Sequence, residues 1–237
     1  MKVEKLSCIY ANQISILYEK ELDQLYLLGT VYRNHKLASY INSVCEEGRE
    51  FFFGIVEGDH LLAVVQCKEM DSSLHINNIV VDSLYQGMGL GKILLSWVIE
   101  TASLNSLDVS LDVDAVNEKA VDWYLSMGFK TNSESRSSVF ELDSQNPSKI
   151  NFHSRHNLAN FGFSNIDLED IDNVEFFFIA PNVFKLKKTM DVKTELFYKL
   201  QNSINGMLVV DSKLLSNEFI SMSFYNKLVF RMVRNVV

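Results

Sequence analysis

The chain is predicted to fold as an α/β layer protein, and three observations predict it. Short β-rich runs recur at 51–56, 61–66 and 75–81, a glycine-dense turn at 86–91 joins the last of them to an amphipathic stretch, and strand and helix patterns then alternate to residue 142. Ala11 to Tyr18 and Asn34 to Glu46 read as helices. Phe51–Val56 and Leu61–Gln66 are strands whose connector, Glu57-Gly-Asp-His60, carries the glycine of a hairpin turn. His75 to Val81 is a third strand. In Gly89 to Ala102, Leu90, Leu94, Val98 and Ala102 recur at four-residue steps, as one face of a helix requires. Leu107–Val113 alternates as a strand, Asn117–Met127 is a helix opened by Asn and closed by Gly128, and Ser138–Leu142 is a last strand. The order is β-α-α-β-β-β-α-β-α-β.

Composition narrows the class. The 237 residues are 47% apolar and 22% charged, enough to bury a core and too apolar for a disordered polymer. This length suits one large domain or two modest ones. Cys8, Cys45 and Cys67 form no Cys-x-x-Cys pair, which predicts a reduced, cytoplasmic protein without a zinc site. The first residues lack a continuous apolar core, and no stretch reaches the ~18 apolar residues of a membrane span, so neither targeting nor membrane association is expected. A pI near 5.2 disfavours nucleic acid, whose binding draws on basic patches.

Charge divides the chain. Residues 1–145 carry 11 Lys/Arg against 21 Asp/Glu, a balance of −10, whereas 146–237 carry 11 against 9. A polar stretch, Asp143-Ser-Gln-Asn-Pro147-Ser-Lys, sits at the change, so two domains are expected, 1–145 and a smaller α/β domain at 146–237. In the latter, apolar runs at 174–180, 183–186, 207–210 and 228–233 and a helix at 192–204 are legible. Met127-Gly-Phe129 followed by Val139-Phe-Glu-Leu142 is echoed by Phe161-Gly-Phe163 followed by Val183-Phe-Lys-Leu186. Such an echo permits a degenerate half-repeat and also arises by chance.

Gln86-Gly-Met-Gly-Leu-Gly-Lys92 is the most informative segment. Glycines between a strand and a helix let the backbone approach a ligand, and the first N–H groups of the helix form an anion site. The spacing fits neither G-x-x-x-x-G-K-[ST] nor G-x-G-x-x-G. What fits is Q-x-x-G-x-G, and with it Val81-Asp-Ser-Leu-Tyr85-Gln86-Gly-Met-Gly89-Leu-Gly91 resembles the pyrophosphate loop of the GCN5-related N-acetyltransferases, the GNAT family. Downstream, Asn117-Glu-Lys-Ala120-Val-Asp-Trp-Tyr124-Leu-Ser-Met-Gly128-Phe129 resembles that family's N-x-x-A-x-x-x-Y-x-x-x-G-F segment. The resemblance covers residues 1–145 and leaves 92 uncovered.

The resemblance implies a mixed, mostly antiparallel seven-stranded sheet flanked by helices, with central strands splayed to admit acetyl-CoA. It implies cofactor contacts from Ile79, Val80, Val81, Gln86, Gly87, Met88, Gly89, Leu90, Gly91, Lys92, Asn117 and Tyr124, with Tyr124 as the acid for the leaving thiolate and backbone N–H groups near Val81 as oxyanion donors. Each position also has a plain structural reading: turn glycines, a solvated Lys92, an N-cap at Asn117, a core aromatic at Tyr124. Many relatives place a Glu on the strand before the loop, where Asn77 stands here. Strand alternation puts His75 on the face of Asn77, so His75 is a candidate base beside a surface or structural role, with a water chain, Asp82 or Glu69 as the other options.

The implied activity is direct transfer of an acetyl group to a primary amine, the alternative being a non-catalytic acyl-CoA-binding module. The charge of −10 favours a cationic acceptor, a small molecule or a peptide. Helices before Phe51 commonly line the acceptor site in this family, and Tyr26, Tyr32 and Tyr40 lie there. For residues 146–237, closure over the acceptor cleft, homodimerisation and a separate ligand site all stay open.

Overall fold

The computed structural model describes residues 2–23, 27, 29–70, 72–188, 192 and 194–235. In chain order, the first elements are β1 (Glu4–Lys5), α1 (Ala11–Glu21), α2 (Leu37–Glu46), β2 (Phe51–Glu57), β3 (His60–Met70), β4 (Ser73–Val81), α3 (Leu90–Leu104), β5 (Asp108–Asp114) and α4 (Glu118–Ser126). They continue with β6 (Lys130–Asp143), β7 (Ile150–Phe152), α5 (Arg155–Phe161), β8 (Ser164–Leu168), β9 (Ile171–Ala180), β10 (Val183–Lys188), α6 (Thr194–Ser203), β11 (Asn205–Asp211), α7 (Asn217–Ser221) and β12 (Tyr225–Arg234). Tyr26 lies outside the described residues.

The chain forms two compact units that interleave in sequence. The first is Met1–Leu25, Leu37–Glu134 and Val229–Val237; the second is Tyr26–Lys36 and Ser135–Leu228. The chain passes between them inside β6 and again inside β12, and not at the polar stretch 143–149 where a boundary is expected. The second unit is therefore inserted between β6 and β12, and it takes in an excursion from between α1 and α2. β6 starts well before the expected Ser138 because residues 130–136 are all polar and exposed, so no apolar alternation marks them.

In the first unit the strand order is β1-β2-β3-β4-β5-β12. All neighbours are antiparallel except β4 and β5, which are parallel and joined by α3. α3 buries Leu90, Leu94, Leu95, Val98 and Ala102 against one face of the sheet, in one core with Val65, Ile76, Leu111, Tyr124 and Phe129. That recurrence at four-residue steps is the pattern read from sequence. α1 and α2 contribute Ile14, Leu17, Tyr18, Ile41 and Val44 as buried residues. β12 returns to flank β5, where Arg231 pairs with Asp112, Nη2 to Oδ2 at 2.8 Å.

In the second unit the order is β7-β8-β9-β10-β11-β6, again antiparallel throughout except for the parallel pair β10 and β11, joined by α6. Its core gathers Phe140, Ile166, Phe176, Phe184, Phe197, Leu200, Leu208 and Phe219. Asn34, buried, donates to the carbonyls of Gly162 (2.8 Å) and Ile179 (2.9 Å) and accepts from Lys36 N–H, which builds the excursion into this unit. Strand order and orientation thus match those of the first unit element for element. The echoed segments do not match in this way: Val139–Leu142 lies in β6, whereas Val183–Leu186 lies in β10, the counterpart of β4.

Candidate active site

The two parallel strands of the first unit pair only over Ser73–Ile76 with Asp108–Leu111. β4 continues to Val81 and β5 to Asp114, so the strands fork just beyond Ile76. The fork coincides with a bulge. Between β3 and β4 the register slips after Gln66↔Asn78, with Cys67 opposite Ile76, so Asn77 is the extra residue. The bulge corrects the alternation argument: its phase shift makes Asn78, and not Asn77, the residue that shares a face with His75.

His75 itself lies where the strands are still paired. It is 5% exposed, and Nδ1 is 3.0 Å from Ser110 Oγ, which also contacts Ser73 Oγ at 3.0 Å. Burial, with Arg231 and Lys68 adding to it against the opposing pull of Asp112, lowers its pKa to about 4. Its imidazole is neutral at pH 7 and has little affinity for a proton. The other candidate bases fare no better. Asp82 is held low by the N–H of Leu84 and by Lys20, and Glu69 is exposed on β3 opposite Leu74, in the paired part of the sheet. Of the β4 residues past the fork, Asn77, Asn78, Ile79, Val80 and Val81, none is titratable; on the β5 arm stand Asp112, paired with Arg231, and the buried Asp114.

At the open end of the fork, β4 runs into the glycine loop. Asp82 caps a short 3-10 turn (Ser83–Tyr85) by accepting from Leu84 N–H. Gln86 donates through Nε2 to the Val81 carbonyl at 3.1 Å and to Glu21 at 3.3 Å, and Glu21 accepts Ser83 N–H at 2.9 Å. Burial would raise the Glu21 carboxyl, but the bonds from Ser83 and Lys20 outweigh it and hold it ionised. Gln86 thus serves as a brace for the loop. Gly87 and Gly89 are left-handed, at φ +78° and +81°, and a Cβ on either would meet no atom within 4 Å. A turn that needs left-handed residues explains both glycines; the open space on their Cβ side is what a ligand approaching the backbone needs.

Gly89 is the N-cap of α3 and provides no side-chain bond, so the first N–H groups of this 15-residue helix are left to solvent or ligand. Met88 and Lys92 are exposed, and Leu90 is buried. Gly91 sits between neighbours: its Cβ would lie 3.7 Å from Val81 Cγ2 and 3.7 Å from Trp123 Cη2. The end of β4, the start of α3 and α4 therefore converge there. An open groove of about 600 Å³ runs along one side of α3 from Gly89 to Glu100, past Lys92, Ile93, Ser96 and Trp97, with Val3 also lining it.

On α4, Asn117 caps the helix by accepting Ala120 N–H at 3.2 Å through Oδ1, which leaves its Nδ2 hydrogens for another acceptor. Tyr124 is buried in the core that holds Val81 and Val113, with ring centroids 4.9 Å from Trp123 and 5.7 Å from Phe129.

Sequence reasoning missed a polar network on the other face of the sheet. Tyr18 Oη donates to Gln66 Oε1 at 3.0 Å, Asn78 Nδ2 lies 3.5 Å from the same oxygen, Gln66 Nε2 donates to Glu50, and Tyr40 Oη donates to Glu50 Oε1 at 3.1 Å. Burial and the Glu50 carboxylate keep the Tyr40 hydroxyl protonated. Both oxygens of the half-buried Glu50 thus accept from neutral donors, and it forms no ion pair among the described residues. Only its polarity amid apolar runs could have flagged it.

A forked α/β sheet beside an uncapped, glycine-lined helix start offers backbone donors and open space that an extended ligand with an anionic group could use. Residues 15–129 match the acetyltransferase (GNAT) family, and it is this stretch that carries the family's pattern. In fold the chain is similar to a candidate acetyltransferase from Thermoplasma acidophilum, with TM-score 0.61 at 15% identity, over 99% of this chain and 100% of the other. Weaker likenesses include a PaiA N-acetyltransferase from the same organism in complex with coenzyme A (TM-score 0.47, 17% identity, 56% of this chain and 92% of that one). Another is the ribosomal-protein-S18-alanine N-acetyltransferase of Escherichia coli (TM-score 0.46, 18% identity, 62% and 84%). Among the described residues no helix is long and apolar enough to cross a membrane, and no three His, Cys, Asp or Glu side chains gather as a metal site.

Proposed function

We propose that the protein is an acetyl-CoA-dependent N-acetyltransferase that works in the cytoplasm on a cationic primary amine. The observation that carries this reading is the coincidence, within one unit, of the fork past Ile76 with the uncapped start of α3. Gly87, Met88, Gly89, Leu90, Gly91 and Lys92 would hold the pyrophosphate, backbone groups of Ile79, Val80 and Val81 the pantetheine arm, and Asn117 Nδ2 a carbonyl of that arm. When bound, acetyl-CoA supplies an activated thioester.

The chain's own part is then to place the amine, take its proton and offer donors to the developing oxyanion. A protonated amine, of pKa roughly 10.4, must lose a proton before it attacks. Since no titratable side chain lies on β4 beyond the fork, we assign that transfer to water and not to His75. Tyr124 Oη is the proposed acid for the leaving thiolate. Glu50, a half-buried carboxylate with no salt bridge among the described residues, is the proposed anchor for the acceptor's positive charge, fastened to β4 through Gln66 and Asn78. The second unit repeats the strand order without the loop, and we propose that it arose by duplication of a whole unit and holds no second cofactor site.

The lack of a titratable side chain on β4 past the fork keeps one alternative in view, a non-catalytic acyl-CoA-binding module. Thiol release from acetyl-CoA with spermidine, lysine and glucosamine separates the two. Amine-dependent release that falls at least tenfold in Tyr124→Phe supports the transferase; binding without release from any amine supports the module.

A further inference from the structure

Cys8 and Cys45 are 37 positions apart in sequence, yet their sulfurs lie 3.5 Å apart. Cys8 is in the 3-10 turn (Cys8–Tyr10) that leads into α1, and Cys45 is in the last turn of α2. The Cys8 thiol donates to the Cys45 sulfur, and the Cys45 thiol points to the Leu6 carbonyl at 3.9 Å. Both are partly exposed. Cys67 shows what a packing cysteine looks like in this chain: fully buried, in the apolar core with Val65, Leu74 and Ile76, its thiol pushed far up by burial. Two thiols in mutual contact at a solvent-accessible edge are a different arrangement, and closing from that distance to a bond of about 2.05 Å asks each side chain to move by less than about 1 Å.

We propose that Cys8 and Cys45 are a redox modification site that closes to a reversible disulfide under peroxide. In the first step the Cys8 thiolate attacks one peroxide oxygen, the O–O bond breaks, and Cys8 becomes a sulfenic acid as the first water leaves. In the second, Cys45 attacks that sulfur, the S–S bond forms and a second water leaves, so that two thiols and one peroxide give one disulfide and two waters. Burial, then the contact with Cys8, raises Cys45 to about 11, which disfavours it as the first attacking thiol; its contact with Cys8, and not its acidity, places it for the second step. The bond ties the entry of α1 to the end of α2 and closes the intervening chain into a loop, which restrains the unfolded state more than the folded one. Its bearing on turnover rests on the acceptor reading of α1 and α2; the thiol chemistry does not.

The test is mass spectrometry of the full-length reduced protein after one equivalent of hydrogen peroxide, with denaturation and alkylation by iodoacetamide. The expected product carries one alkylated cysteine in place of three, yields a linked Cys8–Cys45 peptide, reverts with dithiothreitol and melts several degrees higher than the reduced protein. Cys67→Ala should still bridge, and Cys8→Ser and Cys45→Ser should not. Three alkylated thiols after peroxide, bridging only between chains, or a Cys8 sulfinic acid beside a free Cys45 would each overturn the proposal.

Discussion

The two units share a strand order, and the turn that leads from the fourth strand of that order into the next helix sets them apart. In the first, β4 extends five residues past its last pairing with β5 and is followed by residues 82–89, which include two left-handed glycines facing open space. In the second, β10 extends three residues past its last pairing with β11, and the connection to α6 is Thr189-Met-Asp-Val-Lys193, without glycine and with an acid in it. Its one described residue, Val192, is buried, and Glu195 occupies the first turn of α6. An acidic first turn satisfies the helix dipole internally and repels an anion. A bulge sits between β3 and β4 and again between β9 and β10, so the bulge is common to both units, while the glycine turn is particular to the first.

Glycine substitutions break this comparison most sharply. Gly162, at φ +73°, would bring a Cβ within 2.4 Å of Asn34 Oδ1. Gly162→Ala should cost the second unit about 3 kcal/mol or more in urea unfolding while acetyl-CoA affinity stays within twofold. Gly87→Ala, equally left-handed but unobstructed, should cost only about 1 kcal/mol and yet weaken acetyl-CoA at least tenfold.

His75 gives the next effect, on the order of 3 kcal/mol. Because burial lowers its folded pKa to about 4 from a reference near 6.5, the unfolded chain takes up the proton first as pH falls. Stability should therefore be lost between pH 6.5 and 4 and level off below. His75→Gln should flatten that slope and leave the pH profile of turnover unchanged; a turnover profile that moves with it would return His75 to proton transfer.

A smaller change is expected at the proposed anchor. Glu50→Gln keeps the Tyr40 and Gln66 neighbours but removes the charge, so KM for a cationic amine should rise about tenfold at nearly constant kcat. An unchanged KM would remove Glu50 from the acceptor site. Smallest is Asn117, where Asn117→Ala should cost about 1 kcal/mol of stability through the lost cap. Asn117→Asp should keep the cap and lose only acetyl-CoA affinity, which separates the two atoms of one side chain.

The first unit was legible because its signals are local. Glycines mark the turn, four-residue recurrence marks α3, and an Asn cap with Gly128 brackets α4. What escaped is long-range or phase-dependent. Nothing near Asn34 indicates that it bonds to Gly162 and Ile179, nothing in 228–233 indicates pairing with β5, and the polar run 130–136 conceals a strand. One inserted residue at Asn77 reverses the faces on which the His75 argument depended. The repeated apolar segments suggested duplication, but they fall on non-equivalent strands; strand order carries that idea instead, and order is not visible in a single sequence.

The central claim is that the start of α3 holds the phosphates of acetyl-CoA, and calorimetric titration of the full-length protein and of Gly89→Glu tests it directly. The account predicts one site per chain in the wild type, abolished by the substitution while circular dichroism and Tm stay near wild type. Two sites per chain, no wild-type binding, or undiminished binding by Gly89→Glu would contradict it.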